Sequence, residues 1–455
     1  MKILLVSPNI LTAPSPVYPI GLDYVAGAAS PPHEVRIVDL NEEHGMDRLA
    51  DLIRHFAPHL IGLSLRNVDD LDVFRTRSFI EGYRQIVDTL RAMTAVPIVL
   101  GGSGFTIFPS ELMEALDADY GILGDGERFT LLLDALEAKS DVSRIPGILT
   151  RGRSFAGFPD NLNTTGQRYF NPDSPHLSYY LTHGGILNLQ TKRGCPFKCI
   201  YCTYPHIDGS RLRLIDPDEV ARTALMLQEA GAKYLFITDS TFNCSMDHSL
   251  SVARAFIKSG LTIPWGAFFA PFTPPDDYYK IMAEAGLTHV EFGTESFCDR
   301  VLSSYGKPFR MHDILKAHAN ADAAGLHIAH YLLFGGPGED DNSMAETLAT
   351  AEKLKNTVLI LFCGIRIYPH TEIYQTALRE GQITQDRNLL EPFFYQSPAL
   401  PLDGVMRILK KRASGHPHWI FGSGSGKTER LMSRMHARGY IGPLWERLLS
   451  DQPDL

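Results

Sequence analysis

The first 194 residues contain no cysteine, and all six cysteines of the chain lie at or after position 195. So sparing a use of thiols excludes a disulfide framework and fits a reducing, cytoplasmic setting. No apolar run reaches the roughly 18–20 residues of a membrane span. The opening run from Met1 to Ser7 is followed by Pro8, too short and too soon broken for a signal peptide; it predicts a buried first strand. There is no basic excess either. A net charge of −9 argues against a protein that binds nucleic acid irrespective of sequence. The fingerprint G-x-G-x-x-G is missing after the first strand, where the loop is proline-rich, and this sets aside nicotinamide or flavin binding. With 455 residues, 44% of them hydrophobic and 21% charged, a globular chain of two or three domains is expected.

What the chain does contain is Cys195, Cys199 and Cys202 in a C-x3-C-x2-C run after the strand-like stretch 186–191. Three thiolates this close suit an iron–sulfur cluster with one open iron better than a structural zinc site. Zinc would need a fourth ligand, for which His206 is the candidate. An odd number of thiols speaks against disulfides. Cys244, Cys298 and Cys363 stand far apart and are expected as small buried hydrophobes. Lys192 and Arg193 precede the run, either to act on the metal centre or as solvated surface charge.

Residues 1–138 alternate short apolar strands (2–6, 34–38, 60–65, 98–100 and 120–123) with helix-length stretches. This α/β pattern predicts a doubly wound, Rossmann-like parallel sheet covered on both faces, with ligands at the carboxyl ends of its strands. The loops leaving those ends carry Pro8 and Asn9, Arg66 and Asn67, Gly101, Gly102 and Ser103, then Gly124, Gly126 and Glu127. Glycines there either let a backbone approach a large ligand or merely permit tight turns. Residues 139–180 are expected as an ordered linker. Over 181–375, six strand candidates (186–191, 234–238, 265–269, 289–292, 328–334 and 358–366) predict a partial (β/α)6 barrel. Trp265, Phe268 and Phe269 are read as core rather than substrate wall. Residues 376–455 are expected as a small, mainly helical region that does not continue the barrel. Its run GSGSGKT at 422–428 imitates a phosphate loop, but Phe421 replaces the first glycine and no buried strand is expected before it.

The cysteine run, with Tyr201 directly before the third thiol and its place after the first barrel strand, resembles the radical S-adenosylmethionine (SAM) superfamily. The resemblance implies a 4Fe–4S cluster on Cys195, Cys199 and Cys202 whose open iron binds SAM. It implies cleavage of SAM to methionine and a 5′-deoxyadenosyl radical. It also implies that Asp239 and Ser240 hold the SAM amino group, with helix capping as the alternative for Asp239. Glu295 would meet the ribose hydroxyls, and Gly335, Gly336 and Arg366 would line the pocket.

The succession of Pro8-Asn9, PIGL at 19–22, LGGSG at 100–104 and GDGE at 124–127 resembles the cobalamin-binding domain fused to one branch of that superfamily. Pro8, Asn9, Gly101, Gly102, Ser103, Gly124, Gly126 and Glu127 would then contact cobalamin. The D-x-H-x-x-G run that supplies a cobalt-ligating histidine in many such domains is absent, so Arg66 and Asn67 are expected near that cobalt face. The whole resemblance implies a cobalamin-dependent methyltransferase acting on an unactivated carbon of a small natural-product or lipid-type molecule. Non-methylating rearrangement, cyclisation or oxidation is the alternative, and a non-catalytic cobalamin sensor a weaker one. An external electron donor of flavodoxin or ferredoxin type is implied, with neither nucleic acid nor membrane as partner.

Overall fold

The computed structural model describes residues 1–449 except 13–14, 74–75, 154, 164 and 423–425. The first sheet runs in the order Glu34–Asp39, Lys2–Ser7, Leu60–Ser64, Ile98–Gly101, Tyr120–Ile122 and Ile148–Thr150. The first five strands are parallel, and the sixth pairs antiparallel with Tyr120–Ile122. Ile3, Leu4, Leu5 and Val6 are all at most 2% exposed, because a strand with helices on both faces has no polar side. Each such side chain contributes about 1.5–3 kcal/mol on burial. Leu5 packs with Leu22 of helix Ile20–Ala29 and Leu133 of helix Phe129–Glu137, while Leu4 and Val6 join Val87 of helix Ile80–Met93. The expected linker is more than a connection: it supplies the edge strand Ile148–Thr150 and the helix Leu177–Thr182.

The second sheet is a parallel partial barrel, ordered Ile186–Leu189, Tyr234–Ile237, Trp265–Phe269, Leu287–Glu295, His327–Phe334, Thr357–Cys363 and Trp419–Phe421. Its seventh strand corrects the expectation for the tail, which does continue the barrel: Leu359 pairs with Trp419 and Leu361 with Phe421. That strand leads directly to Gly422, contrary to expectation, and helix Gly426–Ala437 follows. Residues 423–425 of the phosphate-loop look-alike lie outside the described residues. Further on, the turn Trp445–Leu449 plugs the amino-terminal end of the barrel. The Trp445 indole donates to Glu291 Oε1 at 3.1 Å, and Glu446 pairs with His289 at 3.1 Å.

Buried ion pairs join the two units. Arg193, just before the cysteines, donates to Glu127 Oε2 at 2.8 Å, and its other terminal nitrogen lies 2.7 Å from Oε1. Arg213 pairs with Asp125 at 2.8 Å, and Arg366 with Asp69 at 2.9 Å. Asp69, Asp125 and Glu127 follow strands of the first sheet, while Arg193 and Arg366 follow strands of the barrel. The carboxyl ends of the two sheets therefore face one another. Arg193 and Lys192 are both buried, so the solvated-charge reading fails for them.

Candidate cofactor sites

The cysteine loop is shaped by backbone contacts rather than by its thiols. Gly194 sits at φ +86°, and a Cβ there would lie 2.1 Å from the Arg211 carbonyl oxygen, so only glycine fits. The Cys195 amide donates to Gly209 O at 3.0 Å, the Ile200 amide to Tyr305 O at 3.1 Å and the Cys202 amide to Cys199 O at 3.1 Å. All three cysteines are free thiols. Burial raises the Cys199 thiol, opposed by Lys307, and pushes Cys202 up to about 12. A metal must therefore displace their protons, which makes its affinity pH-dependent.

Among the described residues, no three His, Cys, Asp or Glu side chains are arranged to hold a single metal ion. Three thiols on one loop can hold a multi-iron core by one sulfur per iron. His206 is engaged elsewhere: its Nε2 bonds to His370 O at 3.0 Å and its ring stacks on Phe158 at 4.4 Å. It provides no fourth zinc ligand.

Glu295 ends the fourth barrel strand at φ +64°, a left-handed conformation that costs on the order of 1 kcal/mol or more. Its Oε1 accepts the Tyr201 hydroxyl at 2.7 Å and the Lys307 ammonium at 2.9 Å. The other carboxylate oxygen has no protein partner among the described residues, which leaves it free for a ligand hydroxyl. Burial alone would lower the Lys307 pKa, but Glu295 and Cys199 raise it. Lys307 was not singled out from the sequence; it lies 12 residues from Glu295 and belongs to no motif. Tyr201 was visible only as the aromatic of the cysteine run.

Other expected SAM contacts have protein partners instead. Asp239 accepts from the Thr191 amide at 2.9 Å and the Thr191 hydroxyl at 2.5 Å, so it clamps the end of the first barrel strand and caps no helix. Ser240 lies 3.4 Å from both Gly194 O and Lys192 Nζ, beside the cysteine loop. Three of the five Arg366 N–H groups serve Asp69, Ile367 O and Leu389 O, so this side chain joins the domains. The Gly335 and Gly336 amides both donate to Glu339 Oε2, so that loop closes on its own carboxylate.

Burial pushes the Glu339 carboxyl up from 4.5 to about 7. The folded state thus keeps a proton that the unfolded state releases, and stability falls as pH rises through that window. Replacing Glu339 by Gln is expected to flatten this dependence. The change, read from urea midpoints at about pH 5 and pH 8, is about 3 kcal/mol at most.

On the facing sheet, Leu22, Val25, Ser64, Gly101, Ile122 and Phe129 border a cleft with about 410 Å³ of free space, part of it open to solvent. Gly102 (φ +95°) is required by the turn, since a Cβ would stand 2.6 Å from Leu65 O; a Cβ on Gly101 would find nothing closer than 3.9 Å. Gly101 thus leaves room that the protein itself does not fill, as a cofactor cradle needs. Gly124 (φ +66°) serves a turn, and Gly126 packs on Val25. Asn9, after buried Pro8, ties two strand ends together by donating to Ser64 O at 3.2 Å and accepting from the Arg66 amide at 2.9 Å. Ser103 donates to Arg66 O at 2.9 Å. Glu127, expected at cobalamin, is instead committed to Arg193.

The Arg66 guanidinium donates to Asn67 Oδ1 at 2.7 Å and has no carboxylate in ion-pair range among the described residues. Burial lowers its pKa. Across the domain gap stands Tyr204, just beyond the cysteines, 39% exposed and within electrostatic reach of Arg66. An unpaired cation, an open cleft and an uncovered aromatic facing each other fit a large cofactor between the domains.

Residues 189–351 match the Radical SAM superfamily and residues 6–133 the B12 binding domain. The chain is 24% identical to tryptophan 2-C-methyltransferase of Streptomyces laurentii, over 81% of its own length and 73% of the relative's. It is also 24% identical to cytidylyl-2-hydroxyethylphosphonate methyltransferase of Streptomyces wedmorensis, over 87% and 85%. An uncharacterised methyltransferase of Pyrococcus horikoshii is 27% identical over 83% of both chains. Among solved structures, the radical SAM methyltransferase TsrM of Kitasatospora setae, with cobalamin and a [4Fe-4S] cluster bound, aligns with a TM-score of 0.84 at 21% identity, covering 98% of this chain and 97% of that one. The likeness extends to the fold of both units. No described helix is long and apolar enough to cross a membrane.

Proposed function

A chain that joins a B12-binding domain to a radical SAM domain is a cobalamin-binding radical SAM enzyme, and from that premise we propose that it methylates a carbon atom of a small molecule. Its cofactors are a 4Fe–4S cluster, SAM and cobalamin; when bound, they supply one-electron cleavage of SAM and a cobalt-carried methyl group. The observation that carries the proposal is the buried pairing of Arg193 with Glu127 and of Arg366 with Asp69. These pairs hold the carboxyl ends of the two sheets against one another, so that both cofactor sites open on one gap. The relatives named for tryptophan and for a cytidylyl phosphonate act on small molecules, which supports a small substrate here.

The chain's residues have separable tasks. Cys195, Cys199 and Cys202 hold the cluster. Glu295, fixed by Tyr201 and Lys307, offers its free oxygen to the ribose hydroxyls of SAM. Arg66 and Asn67 border the cobalt face, and the absence of a side chain at Gly101 admits part of the cofactor to the cleft. A small flavodoxin- or ferredoxin-type protein supplies the electrons.

Glu295→Gln is expected to weaken SAM binding about tenfold, the loss of about 1.4 kcal/mol from a charge-assisted hydrogen bond, with iron content unchanged. Unaltered SAM affinity by equilibrium dialysis would remove Glu295 from the site. The function itself is tested by supplying the reconstituted enzyme with a reductant, methyl-labelled SAM and candidate precursors. Label in a carbon–carbon bond of the product supports methylation. Deoxyadenosine without label transfer would support rearrangement, cyclisation or oxidation instead.

A further inference from the structure

The inner face of the barrel is not packed shut. Phe236, Phe268, Tyr331 and Phe362 retain exposure on four different strands, while the residues flanking each of them in sequence are buried. This alternation is the pleat of a strand with one face on the helices and the other on open space. Phe268, 37% exposed on a strand paired at both sides, corrects the reading of this side chain as core. The rings form one continuous band, with centroid separations of 5.3 Å (Phe236–Phe268), 5.7 Å (Phe268–Tyr331) and 6.3 Å (Tyr331–Phe362).

The band has a floor and an opening. Its floor is Glu291, buried between the Tyr331 hydroxyl at 2.6 Å and the Trp445 indole at 3.1 Å, each donating to a different carboxylate oxygen. The opening is at Gly293, on the same strand. A Cβ there would meet nothing closer than Glu295 Oε1 at 3.7 Å, whereas a Cβ on Gly266 of the neighbouring strand would strike the Tyr234 hydroxyl at 2.2 Å. Gly293 is not among the left-handed glycines, so neither backbone strain nor packing explains it. Its empty space lies beneath the carboxylate that Tyr201 of the cysteine loop orients.

We propose that this chamber receives a flat aromatic ring, uncharged or carrying a donor N–H at its inner edge, and that Gly293 provides the room for it. Each ring of the band offers an edge or face to an aromatic guest, a contact favourable beyond the burial itself. A donor N–H would find lone pairs remaining on Glu291. A carboxylate or phosphate would be stripped of water against aromatic carbon and the Glu291 carboxyl group, an unfavourable transfer; such groups must remain at the mouth. The fate of the ring rests on the methyltransferase reading, while its binding rests on the chamber alone.

The two are separated by equilibrium dialysis of the reconstituted holoenzyme against labelled indole and labelled benzoate. Indole is expected to saturate one site, benzoate to bind at least about tenfold more weakly, and Gly293→Leu to weaken indole about tenfold or more. Phe268→Ala, which only removes a ring from a partly exposed position, is expected to weaken indole severalfold and covers the case in which the leucine variant misfolds. Benzoate binding as tightly as indole, or indole binding unaffected by both substitutions, would overturn the chamber. Absence of methyl transfer to every aromatic compound that displaces indole would instead overturn transfer to a bound ring, with the dialysis result intact.

Discussion

A chain carrying Cys199→Ala is expected to fold, bind cobalamin and lose its cluster, with reductive cleavage of SAM falling by about 10⁴-fold or more. The loop keeps its shape without that thiol, because its path is set by Gly194 against Arg211 O, by the Cys195 amide on Gly209 O and by the Ile200 amide on Tyr305 O. Removing one half-buried sulfur leaves a small void and no unpaired charge, so stability changes little. A cluster on the remaining two thiols has two open irons and is labile. Iron analysis and low-temperature EPR of the dithionite-reduced protein check this; a full complement of iron in the variant would show that the run is not the cluster's seat.

The second large effect is thermodynamic. Arg193→Met is expected to destabilise the protein by about 3–5 kcal/mol, the usual consequence of stranding one partner of a buried pair. Glu127 loses the one cation that pairs with it among the described residues, while Asp125 keeps Arg213 at 2.8 Å. Adding Glu127→Gln to Arg193→Met should therefore restore part of the loss, since the stranded charge is gone; the coupling is read from a double-mutant cycle in urea. Simple addition of the two single effects would mean that the pair is solvated in solution. The same substitution loosens the residue two positions before Cys195, so slower cluster reconstitution is expected alongside the lower stability.

The parallel strands were legible because burial on both faces leaves unbroken apolar runs such as Ile3 to Val6. The cysteines were legible because their spacing is itself the chemistry. Residues whose partners are distant in sequence were not. Glu127 and Arg366 sit at strand ends where ligand contacts are expected, yet Glu127 meets a partner 66 residues away and Arg366 one 297 residues away. Nothing local distinguishes a carboxylate awaiting a cofactor from one already answered by arginine. The seventh barrel strand, Trp419–Phe421, has three residues, too few to show a period. Phe268 failed differently: an inward ring in a barrel has the same alternation whether the space before it is filled or open.

Trp445 and Glu446, seated on Glu291 and His289, give the chamber a closed end. Among the described residues the chamber then opens toward Gly293 and Glu295. With SAM held by Glu295 as proposed, a substrate would have to enter before SAM and its product leave after the spent nucleoside. On that reading the expected consequence is kinetic: substrate binds before SAM, and excess SAM slows turnover at low substrate, which initial rates at varied SAM would check.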